Sequence, residues 1–380
     1  MERWPDSLGA LHARIARRFL RPEARERARR YLAGLLGRVE RKNGWQMAEQ
    51  MGESGPQGAQ RLLNAARWDA DAVRDDLREY VADHLGDEES GVLVVDETGF
   101  LKKGEKSVGV ARQYTGTAGR IENCQVGVFL AYASQKGAAF VDRALYVPRE
   151  EWADDPVRRV EAGVPDEVRF ATKGELAKEM LGRAFEAKVP ARWVVADTVY
   201  GMARGLRGWL ETRGCSYVLA VPATKGVYHE GRQQQARSLA GDRPDDGWAR
   251  ASSGKGSKGA RLYDWALVSL PEPEASGAGR WLLVRRGIGD PTELAYYLAY
   301  GPRETPAEEL IRVAGRRWAI EDCFEQAKGE VGLDEYEVRK WEAWHRHVTL
   351  SLVAHAYLAV LRSGTYHARE PGAKRGIVVA

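Results

Sequence analysis

The stretch VLVVDETGFLKKGEKSVGVARQYTGTAGRIENCQVGVFLAYAS, residues 92–134, decides how the rest of the chain is read. It opens on VLVV (92–95), a run short enough and apolar enough for a buried strand, and that run delivers a carboxylate, Asp96, at its end. Two further strand-like runs, 108–114 and 126–133, follow across glycine turns and predict the start of an antiparallel meander. Downstream, TKGELAKEMLGRAFEA (172–187) has helical spacing, and WVVA (193–196) repeats the strand-then-acid form at Asp197. A helix at about 202–213 and the strand SYVLAV (216–221) complete a βαβ unit, so the fold class is α/β with a mixed sheet flanked by helices. Open α/β sheets expose functional groups at the carboxyl ends of their strands, where both aspartates fall.

On either side of this core the texture changes. Residues 1–88 read as helices, with one apolar stripe at Leu8, Leu11, Ile15 and Phe19, another at Tyr31, Leu32, Leu35, Leu36 and Val39, and a break between helices at 52–56. A helix, a Gly/Pro turn and a second helix can present a basic helix to DNA, and they can equally be a plain packing device. Residues 223–300 hold three strand-like runs (262–270, 280–286 and 294–300) among polar stretches, which predicts a β-rich insertion. Helices return after Thr305, and residues 366–380 read as a flexible tail. The expected units are therefore 1–88 (helical, DNA-binding), 89–222 (first part of the core), 223–300 (insertion), 301–365 (second part of the core) and the tail.

At 380 residues the chain has room for two or three compact units, and it contains no apolar run of bilayer length. The amino terminus lacks the pattern of an export signal, and Cys124, Cys215 and Cys323 suit neither a disulfide framework nor a cysteine zinc site. A cytoplasmic, non-membrane protein is expected. The net charge of +4 is modest, but residues 1–43 carry 12 basic side chains against 5 acidic ones, a local excess able to attract phosphates. Arg17 and Arg18 lie in the middle of that segment. Lys102, Lys103 and Lys106, in the glycine-bearing loop past Asp96, are further candidates for the DNA backbone, with a plainly solvated loop as the alternative, and the basic tip GKGSKG (254–259) reads the same two ways. That tip is no phosphate loop, because Ala249 stands where the first glycine belongs. His345 and His347 are spaced against chelation on a helix, and Trp248, Trp265 and Trp281 read as β-core residues before base-stacking ones.

The third acid comes from RRWAIEDCFEQAKGEVGLDEYEVRKW (316–341), where Arg317, Glu321 and Lys328 fall within about 40° of one another on a helix. Spacing alone leaves Glu325 competing with Glu321, and each aspartate alone could be a turn former or helix cap. Taken together, the runs at 92–134, 194–201 (VVADTVYG) and 316–341 resemble bacterial insertion-sequence transposases with a DDE, ribonuclease-H-like core.

In the branch with a β-rich insertion, the resemblance marks the third acid by Tyr, two residues, Arg, three residues, Glu, six residues, Lys. Arg317, Glu321 and Lys328 match, which selects Glu321, while Ala314 occupies the Tyr place. The resemblance implies that Asp96, Asp197 and Glu321 hold two Mg²⁺ ions, with Mn²⁺ able to substitute, and that Arg317 and Lys328 hold phosphates beside the cut. It further implies binding of terminal inverted repeats in double-stranded DNA, strand cleavage, transfer to target DNA, a homodimer on the DNA, and a place near the nucleoid. A catalytically retired DNA-binding relative is the alternative; a glycosidase using Asp96 and Glu321 would leave the basic amino terminus without a role.

Overall fold

A computed structural model describes residues 4–241, 245–256, 259–271 and 277–364. The expected tail at 366–380 and positions 257–258 of the basic tip lie outside the described residues. The amino-terminal segment forms α1 (Trp4–Ala16), α2 (Pro22–Leu36), α3 (Gly44–Gln50), α4 (Gln57–Asn64) and α5 (Ala70–Leu85). Local chemistry sets these limits: Pro22 starts α2, Asn43 accepts the Trp45 and Gln46 N–H groups at the head of α3, and Asp69 does the same for α5. Gly52, at φ +70°, and Pro56 make the break between α3 and α4.

Next come β1 (Val92–Leu101), β2 (Ala111–Thr115), β3 (Arg120–Ser134) and β4 (Gly137–Tyr146), then α6 (Pro156–Ala162) and α7 (Lys173–Glu186). They are followed by β5 (Trp193–Ala196), α8 (Thr198–Gly201), α9 (Arg204–Thr212) and β6 (Ser216–Val221). The central order β3-β1-β5-β6, with β4 on β3, combines antiparallel pairs on one side of β1 with parallel pairs on the other. This is the mixed sheet the sequence predicts, and its local details differ. The first strand does not stop at Asp96 but stays paired with β3 through Leu101; only its parallel neighbour stops, at the Val95–Ala196 pair. The strand expected from residue 108 begins at Ala111, because Val108 and Val110 are buried in a turn bonded to Arg339 and Ser107. The helix expected at 202–213 is α9, two residues later at its start, and the single turn α8 precedes it.

After a small hairpin, β7 (Gly226–His229) and β8 (Arg232–Gln235), and α10 (Ala236–Gly241), the insertion supplies β9 (Ala249–Gly256), β10 (Gly259–Leu270), β11 (Ala278–Arg286) and β12 (Leu294–Pro302). The four are β-rich as expected, yet they do not stand apart. β12 pairs antiparallel with β6, so one ten-stranded sheet continues outward as β6-β12-β11-β10-β9. The physical reason is the edge of β6, whose unpaired backbone groups β12 satisfies. Alternation along β11 sends Trp281 and Leu283 into the main core and Leu282 and Val284 into a second, smaller core with Val221 and Ala236. Trp265 and Trp281 are buried core residues.

The chain closes with α11 (Ala307–Gly315), α12 (Trp318–Val331) and α13 (Trp341–Ser363). α13 is apolar nearly all round and is buried accordingly, packed among α2, α4, α5, α12 and β4. The amino-terminal helices therefore share one apolar core with the sheet rather than closing a core of their own. Polar staples reinforce the junction: Arg346 donates to the Leu63 and Trp68 carbonyls, and Tyr31 bonds His347 at 2.8 Å. His345 bonds the Trp341 carbonyl instead, and burial holds both imidazoles below their ordinary range, so the two are separate structural groups.

Arg17 and Arg18 turn out to have structural partners. Both donate to Asp76, whose side chain is fully buried, at 2.7–2.8 Å. Arg18→Ala is therefore expected to destabilise the protein by about 1–3 kcal/mol, since two of the three arginine hydrogen bonds to a buried carboxylate are lost. A thermal melt within 1 °C of wild type would contradict this.

Candidate active site

β5 ends at Ala196, and the site begins there. Beyond that point no strand separates the two faces of the sheet on that side of β1, so side chains from opposite faces can meet around the open edge. Carboxylate oxygens of Asp96, Glu97 and Asp197 all lie within 4.8 Å of one another, the one acidic group of this kind among the described residues. Asp197 also caps α8, accepting the Val199 N–H at 2.9 Å through Oδ1. The capping role and the site role thus coexist in one residue.

Glu321 stands outside that triangle, half-exposed in the first turn of α12, where the helix dipole favours a carboxylate. Arg317 links it to the others: Nη2 lies 2.6 Å from Glu321 and Nη1 3.9 Å from Asp96. Two contacts on one planar guanidinium keep the Asp96 and Glu321 oxygens within about 9 Å of each other. Arg317 reaches Glu321, not Glu325, which is exposed on the next turn. Ala314, at the position where the resemblance has Tyr, is buried in the last turn of α11.

Lys328, at the far end of α12, donates to Thr98 Oγ1 at 2.8 Å, two residues along β1 from Asp96 on the same face. Lys102 Nζ lies 3.6 Å from the centre of the Tyr336 ring and donates to the Tyr336 carbonyl; burial lowers its pKa to about 8. Lys103 is exposed at the mouth of a groove farther along.

Glu97, Lys173 and Tyr200 are the members that sequence reasoning missed. Glu97 accepts from Lys173 Nζ and from the Tyr200 hydroxyl, both at 2.6 Å and on different oxygens. Lys173 is held at the first turn of α7, where Thr172 and Glu175 form a reciprocal capping box. The Asp96–Glu97 pair was visible in the sequence, but strand alternation assigns neighbours to opposite faces, and only the short β5 lets them converge.

Burial and the nearby Asp197 and Glu97 charges raise the pKa of Asp96 to about 7, and burial with Glu97 raises that of Asp197. A carboxyl raised in the fold gives up its proton first when unfolded. The metal-free protein should therefore lose stability as pH climbs from about 4 to about 7 and level off above. Melting curves in chelator across that range test this; an unchanged slope in Asp96→Asn would remove Asp96 as its source. The donors are hard oxygens, and the crowded negative charge fits a divalent cation of the Mg²⁺ type.

Among the described residues no helix is long and apolar enough to cross a membrane. The description "DDE superfamily endonuclease" matches residues 14–262, and "Transposase DDE domain" matches residues 171–358. The chain is 26% identical over 314 residues to a protein of Microchaete diplosiphon described as a probable transposase for insertion sequence element IS701, covering 80% of this chain and 74% of the relative. With Asp96 inside β1 and Asp197 just past the end of β5 on a ribonuclease-H-like sheet, this chain belongs to the DDE superfamily endonucleases, as an enzyme of the transposase kind.

Proposed function

We propose that this protein binds the terminal inverted repeats of its own insertion sequence, cuts the DNA there and joins the freed ends to a target. The observation that carries the reading is the convergence of Asp96, Glu97 and Asp197 within 4.8 Å, with Arg317 tying Glu321 to them. Asp96, Asp197 and Glu321 would hold two Mg²⁺ ions, or Mn²⁺ in their place, with Glu97 beside them. Bound Mg²⁺ supplies a strengthened attacking oxygen and a stabilised leaving oxygen.

The rest is work for the chain's own side chains. Asp96 is the shared acid, facing Asp197 on one side and Arg317 with Glu321 on the other. Arg317, a planar donor fork a quarter exposed at the site, suits a phosphate oxygen as well as it suits Glu321. Lys328, anchored on Thr98, adds a point charge along the same helix face. Two ends must be held for transposition, so a homodimer on DNA follows from the reading.

Incubation of the protein with DNA bearing the element's ends, in Mg²⁺, Ca²⁺ or chelator, tests this directly. Nicking at the ends in Mg²⁺, with binding alone in Ca²⁺, is the expected result. Binding without nicking under every condition would leave a retired DNA-binding relative, and no binding at all would sink both.

A further inference from the structure

The basic amino-terminal segment looks like the obvious place for DNA, but much of its charge is already spent: Arg14, Arg17, Arg18, Arg29 and Arg30 all sit on carboxylates. Uncommitted positive charge collects in a groove to which this segment gives only Arg41 and Lys42 of its basic side chains. The groove, of about 1510 Å³, runs between α3–α4 and the segments 101–107 and 334–340, lined by seven basic side chains against four acidic ones. Arg41, Lys103, Lys106, Arg339 and Lys340 are exposed there, and none has an ion-pair partner among the described residues. Trp45 stands at the same groove with 64% of its surface exposed, a large ring that nothing in the fold covers.

The groove also has a fixed distance from the acids. Lys102, on its wall, follows Asp96 by six residues along β1 and the residue after it, which is about 20 Å of extended chain. Duplex DNA rises 3.4 Å per base pair, so the same span is about six base pairs. The strand points outward from the carboxyl edge of the parallel strands, so the acids and the groove lie on the same end of the sheet.

We propose that this groove seats the sugar-phosphate backbone of duplex DNA about six base pairs from the phosphate being cut, with Lys103 and Lys106 on phosphates and the Trp45 ring against the backbone. The proposal rests on the reading that Asp96, Asp197 and Glu321 cut DNA. It assigns this groove to positioning of the duplex, through contacts that carry no sequence information themselves. Lys103 and Lys106 are exposed loop residues, so reversing their charge leaves the core untouched.

The test compares wild type with the Lys103→Glu/Lys106→Glu double variant and with Trp45→Ala, after thermal melts verify folding. The probes are a mixed-sequence 40-bp duplex and a duplex carrying the element's end, both in Ca²⁺. The double variant should lower the slope of log affinity against log salt by about two, since two phosphate contacts are lost. Hydroxyl-radical footprints should lose protection about six base pairs from the cut while keeping it at the cut. Trp45→Ala should abolish the quenching of tryptophan fluorescence by the duplex that wild type gives. An unchanged salt slope, or protection lost only at the cut, overturns the proposal. Failure of wild type to nick the end-bearing duplex in Mg²⁺ counts against the functional reading, whereas the salt slope and the Trp45 signal judge the groove.

Discussion

Asp96→Asn should bind end-bearing DNA nearly as wild type does and cut it at least about 10³-fold more slowly, a loss of about 4 kcal/mol in transition-state stabilisation. Asp96 is the acid that meets both halves of the site: its oxygens lie within 4.8 Å of Glu97 and Asp197 and 3.9 Å from Arg317. The amide keeps the shape and can still accept from the Glu97 N–H, so the substitution removes charge without opening a hole. Glu321→Gln should behave alike, and Glu325→Gln should cut normally, since its carboxylate is not the one that Arg317 grips. Single-turnover nicking on end-labelled DNA, beside a binding titration in Ca²⁺, measures both quantities. Rapid nicking by Asp96→Asn would remove this acid from the chemistry, and a dead Glu325→Gln would move the helix role one turn along.

Glu97→Gln carries the second large effect. The amide oxygen can still accept from Tyr200, but Lys173 loses its charge partner and the cluster loses one of its three carboxylates. Groups that orient or neutralise the immediate neighbours of a bound cation commonly change its affinity by about 10–100-fold when removed. The Mg²⁺ concentration at half-maximal nicking should rise by that factor, and titration with Mn²⁺ followed by electron paramagnetic resonance should report the same loss without DNA. Lys173→Met should act in the opposite direction on Mn²⁺ binding, because it frees Glu97 from a competing cation. Equal Mn²⁺ affinity in wild type and Glu97→Gln would confine Glu97 to holding Tyr200 and α7 in place.

How much of this could be seen in the chain before folding depends on range. Strands with local patterns, such as 193–196 and 216–221, and the helix at 172–187 were legible because short apolar, β-branched runs and helical spacing are written in neighbouring residues. Asp197 was legible at the end of its strand for the same reason, whereas Asp96, also read as a strand end, lies within β1. What escaped was set by partners far away: the length of β1 beyond Asp96 depends on β3, the burial of Glu97 depends on how soon β5 stops, and Arg17 and Arg18 are claimed by Asp76 from another helix. Charge counting along the chain saw twelve basic residues in one segment and could not tell those already paired from those at hand for a ligand. The choice of Glu321 came from a family resemblance, and the contact with Arg317 gives that choice a geometric basis in this chain.

The way β12 closes against β6 bears on how such a protein tolerates change in length. More than seventy residues leave the core after Val221 and return one strand away, and the returning strand leads directly into α11 and then the helix of Glu321. The outermost ribbon, β9 and β10, is tied to that path as well, since β9 packs on α11 and Tyr263 of β10 stacks on Trp318 at the head of α12. Shortening β12 itself would drag the acid-bearing helix out of reach. Variation in size between the second and third acids is thus confined by geometry to the connections between these strands, such as the one joining β11 to β12.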